Sequence, residues 1–199
     1  EIPEDWKILP NKVLFQESKA CGNDTLPLLS VSLHSGISSG ELDDEENIRG
    51  KVKIEDKSSY KLVRPNYIAY NMMRAWQGAI GAVAVDGMVS PAYVVAVPNE
   101  LINSVYFELQ YRTSSFIQQM NRFSKGITDF RKRLYWNEFK QLNTIVPPLR
   151  VQEEIVDFIE TKSKKIENSI TLQQQQITKL KEYKTILIDN AVTGKIKVA

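Results

Sequence analysis

From residue 151 to residue 193 the chain has neither glycine nor proline, and its large aliphatic side chains recur at steps of four, seven and three. Ile155, Ile159, Ile166, Ile170, Ile177, Leu180, Leu187 and Ala191 therefore fall on one stripe of a single helix. At about 1.5 Å per residue such a helix reaches roughly 60 Å, longer than the globule that precedes it, and is expected to project. Pro147 and Pro148 disfavour an earlier start, Glu153 and Glu154 suit a first turn, and Gly194 with Lys195 and Lys197 marks the end. The stripe reads as heptads in two phases. Ile155, Ile159, Lys162 and Ile166 form one; Ile170, Gln173, Ile177, Leu180, Lys184, Leu187 and Ala191 form the other, after a four-residue stutter near Ile166. Burying its seven large aliphatics would contribute at most roughly 10 to 20 kcal/mol. The seam therefore calls for a partner, in another chain or in another part of a longer one, and an antiparallel homodimer with a wet point at Gln173 is expected.

The 199 residues, 42% of them hydrophobic, suffice for one core and an appendage. We divide the chain into a globular domain, residues 1–146, and a helical arm, residues 147–199. A lone cysteine, Cys21, leaves no disulfide framework, and no window is apolar enough for a membrane span, so a cytoplasmic setting is expected. The chain opens without Met, which fits processing or a piece of a longer protein.

Charge is balanced in residues 1–146, with 17 basic and 17 acidic side chains, but it is segregated. Residues 41–46 form an acidic run, residues 49–64 carry six basic against two acidic residues, and residues 110–140 carry seven against two. Such stretches suit a surface that meets phosphates and equally suit a solvated face.

Short apolar runs at residues 25–33, 67–73, 79–85 and 89–97 have strand chemistry, with Asp86-Gly87 as a hairpin turn between the last two. Residues 99–112 read as a helix begun at Pro98-Asn99, with Leu101, Val105, Leu109 and Arg112 at helical spacing; residues 116–122 and 136–142 read as two more. Val63, Ile68, Ile80, Val83 and Val85 read as core, and Ser90-Pro91 as a turn. Strands followed by helices give an α+β fold: a twisted, mostly antiparallel sheet with flanking helices, then one long projecting helix.

Catalytic constellations are missing. His34 is the sole histidine and sits in no nucleophile elbow, and one Cys with one His cannot build a zinc set. Asp43, Asp44, Glu45 and Glu46 lack calcium-loop spacing, although a nuclease using this acidic loop is one alternative. Gly78-Ala79-Ile80-Gly81 lacks the remainder of a phosphate loop and suits close approach of a strand to its neighbour. A binding role is favoured, with no metal or cofactor held by this chain.

Several short pieces then occur in a telling order. They are Ile2-Pro3-Glu4-Asp5-Trp6; Tyr60-Lys61-Leu62-Val63-Arg64-Pro65 with Ile68 and Met72; Gly78-Ala79-Ile80-Gly81; and Val89-Ser90-Pro91-Ala92-Tyr93. Val146-Pro147-Pro148-Leu149, Gln152-Glu153-Glu154-Ile155 with Asp157 and Phe158, then Leu180, Glu182, Tyr183, Ile188 and Ala191-Val192-Thr193-Gly194 follow. With them the chain resembles, over almost its whole length, one half of the specificity (S) subunit of type I restriction-modification systems: a target recognition domain and a conserved spacer helix.

The resemblance implies a non-catalytic module that reads one half of a bipartite site in double-stranded DNA. It also implies a second copy or other half of the specificity subunit as partner, together with methyltransferase subunits and, through them, the restriction subunit. S-adenosylmethionine, Mg²⁺ and ATP would belong to those partner subunits. An assembly protein whose main role is partner docking remains the alternative. For DNA contact we single out His34 and Ser35, the stretch with Arg49, Lys51 and Lys53, then Arg74, Trp76 and Gln77, and finally Lys125, Arg131, Lys132 and Arg133. Arg74 and Gln77 are expected at base edges and Lys125, Arg131, Lys132 and Arg133 at phosphates.

Overall fold

The computed structural model describes residues 2–23, 25–33, 36–39 and 58–197, in two compact units, Glu1–Glu154 and Ile155–Ala199. In chain order the elements begin with β1 (Lys7–Pro10), α1 (Asn11–Leu14), β2 (Phe15–Ser18), β3 (Leu29–Ser32), β4 (Gly36–Ser39), β5 (Lys61–Val63), β6 (Ile68–Asn71) and β7 (Ile80–Ala82). They continue with β8 (Gly87–Val89), β9 (Tyr93–Pro98), α2 (Ser104–Tyr111), α3 (Ser114–Phe123), α4 (Trp136–Phe139), β10 (Asn143–Val146) and α5 (Leu149–Val192). The fold is α+β, and every pair of named strands is antiparallel. A four-stranded sheet runs β2-β9-β6-β7, with two-stranded ribbons β1-β10, β3-β4 and β5-β8 beside it.

Aromatic side chains build the core between sheet and helices. Phe15 meets Phe107 and Phe139 edge-on or tilted at centroid distances of 6.0 and 6.1 Å, while Tyr70 lies 4.8 Å from Phe139 and Tyr111 4.3 Å from Phe116. A second apolar cluster joins Leu29, Val31, Val63, Val83, Val89 and Val95. Val63, Ile68, Ile80 and Val83 are buried as expected, but Val85, in the turn between β7 and β8, is exposed.

Two local expectations need correction. Asp86-Gly87 does not close a hairpin: β7 pairs with β6 and β8 with β5, while the Met88 amide donates to the Pro27 carbonyl at 2.9 Å. The run 89–97 is correspondingly split at Ser90-Pro91, where the Tyr93 amide donates to the Ser90 carbonyl at 2.9 Å. Similarly, Asn99 does not start α2. Its Oδ1 accepts the Leu101 amide at 2.9 Å in a local turn, and Asn103 caps the helix instead, accepting the amides of Val105 at 3.0 Å and Tyr106 at 3.3 Å. That shift changes the buried face. Leu101 and Val105 are exposed, and Tyr106, Phe107 and Tyr111 pack inward.

The first turns of α5 belong to the first unit, and one buried side chain bolts them there. Gln152 donates to the carbonyls of Leu101 and Pro147, both at 2.9 Å, and accepts the Asn103 amide at 2.9 Å. A second buried knot joins Asn11, Tyr111 and Thr144. The hydroxyls of Tyr111 and Thr144 donate to Asn11 Oδ1 at 2.9 and 2.6 Å, and Asn11 Nδ2 donates to the Phe139 carbonyl at 3.1 Å.

Burial pushes the phenols of Tyr70 and Tyr111 up, and Tyr70 also faces Glu17 and Glu138. Because the folded state raises these values, their stabilisation is full below the unfolded phenol value of about 10 and is lost as pH climbs above it. Thermal melts should therefore fall steeply between about pH 9.5 and 11. Tyr70→Phe should blunt that fall. Since the Tyr70 hydroxyl has no hydrogen-bond partner among the described residues, the substitution should leave neutral-pH stability unchanged or raise it by up to about 1 kcal/mol.

In the second unit α5 continues without interruption and closes in a Schellman turn. Gly194 adopts φ 73°, and the amides of Lys195 and Ile196 donate to the Asn190 carbonyl at 2.9 and 3.1 Å. Ile166, Ile170, Ile177, Leu180 and Leu187 on the expected stripe are all exposed in the single chain, between 44% and 67%.

Candidate nucleic-acid interface

Residues 74–77 form a 3-10 turn between β6 and β7, closed by the Gln77 amide donating to the Arg74 carbonyl at 2.9 Å. Gly81, just beyond, lies so close to the neighbouring ribbon that a Cβ would come within 3.0 Å of the Ile37 amide nitrogen. This is the close approach expected of the Gly78–Gly81 segment. Residues 125–133 form a loop between α3 and α4, pinched by the Lys125 and Arg133 backbones, which exchange bonds of 2.9 and 2.8 Å.

The two stretches are some fifty residues apart in sequence and adjacent in space. The Leu134 amide donates to the Met72 carbonyl at 2.8 Å, and the Lys132 ammonium stands 5.1 Å from the centroid of the Trp76 ring. Lys132 also donates to Asn121 Oδ1 at 2.7 Å and pairs with Asp129 at 2.7 Å. With three partners and a side chain only 21% exposed, it acts as a tie that shapes the loop. Lys125 pairs with the largely buried Glu138 at 2.5 Å while most of its side chain stays in water. Arg133 donates to the Lys132 carbonyl at 2.8 Å, and Arg131 and Gln77 are exposed. The stretch with Arg74, Trp76 and Gln77 and the loop with Lys125, Arg131, Lys132 and Arg133 are thus neighbours, joined through Lys132 and Trp76.

His34, Ser35, Arg49, Lys51 and Lys53, like the acidic run 41–46, lie outside the described residues. Lys61, at the end of that basic stretch, is turned inward. Its ammonium donates to the Tyr93 carbonyl at 2.6 Å, and burial holds its pKa below the ordinary lysine value despite the opposing pull of Glu17.

One positioning pair was not expected from the sequence. Glu108 and Arg112 bridge one turn of α2 at 3.0 Å; Glu108 also accepts the Ala82 amide at 2.8 Å, and Arg112 donates to the Leu33 carbonyl at 2.7 Å, so α2 secures the end of β3. Their i,i+4 spacing was visible in the sequence, but the backbone partners come from residues 26 and 79 positions away.

No group of three or more metal-ligating side chains occurs among the described residues. An open groove is lined by Asn66, Val83, Glu100, Ser104, Leu149 and Glu153, and the Ser104 hydroxyl there donates to the Asn66 carbonyl. No helix among the described residues is long and apolar enough to cross a membrane.

No family model matches the sequence, and no curated protein does. Solved structures do. A chain described under the structural basis of complex assembly and conformational transition of the type I R-M system aligns with a TM-score of 0.60 at 13% identity, over 96% of this chain and 46% of that one. The HsdS subunit from Thermoanaerobacter tengcongensis aligns with a TM-score of 0.56 at 13% identity, over 98% and 47%. The type I restriction-modification S subunit from M. genitalium aligns with a TM-score of 0.50 at 10% identity, over 84% and 42%. The fold is that of these specificity subunits, and the chain spans about half the length of each.

Proposed function

We propose that this chain is a DNA sequence-recognition module of a type I restriction-modification enzyme, non-catalytic itself, which reads one half of a bipartite site. The observation that carries the reading is the convergence of residues 74–77 with the loop 125–133 on a fold shared with specificity subunits. Cations at that face would neutralise phosphates and fix the register, while Gln77 and Arg74 offer donors for base edges.

The exposed seam of α5 supports pairing with a second copy or the other half of a specificity subunit. Phe158 and Tyr183, about a quarter turn round the helix from that seam, and Leu172 and Ile186, about a third of a turn or more from it on the same side, are also exposed. A two-helix pair covers one side of each helix, so this second stripe suits docking of methyltransferase subunits, and through them the restriction subunit. S-adenosylmethionine, Mg²⁺ and ATP would be bound by those partners.

Duplex binding measured against salt tests the reading. Affinity should fall linearly in log-log form, and removing the exposed charge of Arg131 should lower the slope by about one. Equal affinity for all duplexes in the presence of methyltransferase subunits would overturn it. An assembly-only role draws on the same exposed helix, and it requires instead that DNA affinity be unaffected by any substitution at the basic face.

A further inference from the structure

The segment 122–133 carries five basic side chains, Arg122, Lys125, Arg131, Lys132 and Arg133, against one acidic, Asp129. At its tip stands Ile127, which is 100% exposed, the highest value of any large apolar side chain among the described residues. Nothing in the loop's construction uses that side chain. The Lys125 and Arg133 backbones pinch the base, the Arg131 amide donates to the Thr128 carbonyl at 2.8 Å, and Lys132 ties the far side to Trp76, Asn121 and Asp129. Gly126 adopts φ +143°, and a Cβ there would come within 2.5 Å of the Arg131 carbonyl oxygen, so the two limbs of the loop touch. Ile127 is therefore presented from a backbone already held in place, and its β-branch leaves little freedom at χ1.

Nothing in the loop's bonding calls for an aliphatic side chain here, and one fully exposed among basic residues is suited to a partner that offers an apolar feature. Lys132 is paired with Asp129 and Lys125 with Glu138, but the segment keeps a net positive charge with Arg122 and Arg131 exposed, which favours an anionic partner with an apolar feature within reach of its charges. Duplex DNA supplies that combination in the major groove, where the thymine 5-methyl group is the one apolar mark on a base edge and phosphates flank it. Resting on the DNA-recognition reading above, we infer that Ile127 is a specificity-determining residue that reads a thymine methyl group in the half-site, with the adjacent cations on the bordering phosphates.

The test is a binding selection with the full chain, wild type and Ile127→Ala, in the presence of methyltransferase subunits, from a random duplex library containing thymine and from the same library with deoxyuridine in place of thymine. The wild type should select a motif with one fixed thymine, and deoxyuridine at that position should weaken binding about fourfold, the factor set by one buried methyl group. Ile127→Ala should bind the thymine and deoxyuridine versions equally, keep the remaining motif and melt like the wild type. The inference is overturned if the wild type is indifferent to the methyl group, or if Ile127→Ala keeps the same preference. It is equally overturned if the variant weakens all sequences alike, or if the choice is for flexible pyrimidine–purine steps irrespective of the methyl, which would make Ile127 a wedge. A wild type that selects no motif at all refutes the DNA-recognition reading itself, whereas each of the other outcomes leaves that reading standing.

Discussion

Ile170→Asp together with Ile177→Asp is expected to turn the proposed α5-paired dimer into a monomer in sedimentation experiments at micromolar concentration. Both side chains lie on the α5 stripe and are exposed in the single chain, 63% and 44%. Pairing would bury each of them, at about 1.5 to 3 kcal/mol per isoleucine, and an antiparallel pair of identical chains loses four at once. Each aspartate adds the cost of placing a carboxylate in an apolar seam. The dissociation constant should accordingly rise by at least about a thousandfold. Helix content should survive, because an aspartate at an exposed helical position costs well under about 1 kcal/mol relative to alanine. An unchanged sedimentation coefficient would place the contact on another surface.

Gln152→Ala is expected to produce the largest loss of stability from a single substitution. Its amide is buried and makes three bonds of 2.9 Å, to the carbonyls of Leu101 and Pro147 and from the amide of Asn103. Truncation leaves those three backbone groups without their partner, at about 1 to 3 kcal/mol for each that stays dry. A net loss of about 3 kcal/mol or more should lower the melting temperature of the globular unit by roughly 6 to 12 °C. Gln152→Glu sharpens the test. The carboxylate keeps the acceptor for Asn103 but faces two carbonyl oxygens with no proton to give. Its pKa should rise on folding, so the variant should gain stability relative to wild type as pH falls and lose it as pH rises. Melting of both variants at the wild-type temperature would show that the three bonds carry no net stability.

The long helix was legible because its signal is local and repeated. Absence of breakers, a 3.5-residue period and a terminal glycine are all properties of neighbouring residues, and α5 spans Leu149–Val192 where 151–193 was expected. The strands were legible as apolar runs, yet the pairing of β7 and β8 was misread. Asp86-Gly87 has good hairpin chemistry, and the preference is overridden by better partners in β5 and β6. The start of α2 failed for a related reason. Asn99 and Asn103 are equally good caps in isolation, and the choice falls to Asn103 because Asn66 and Gln152 bond the backbone on either side of it, at the amides of Ser104 and Asn103.

The face around Trp76 divides in the same way. Residue types suited to phosphates and base edges could be picked out in each stretch separately, as Arg74 and Gln77 in one and Lys125 and Arg131 in the other. That Lys132 would spend its charge on Trp76, Asn121 and Asp129 could not. Lys61 shows the converse, a cation in a basic stretch that the fold turns toward a backbone carbonyl.

What the sequence determined by itself was whatever rests on periodicity and on chain chemistry over a few residues: an α+β globule, an unbroken helix and an apolar stripe along it. Tertiary structure alone decided which strands pair, which asparagine caps α2, which cations are ties and which face water. Those outcomes depend on groups distant in sequence, whose burial and bonding compete only once the core has closed around Phe15, Tyr70, Phe107, Tyr111 and Phe139.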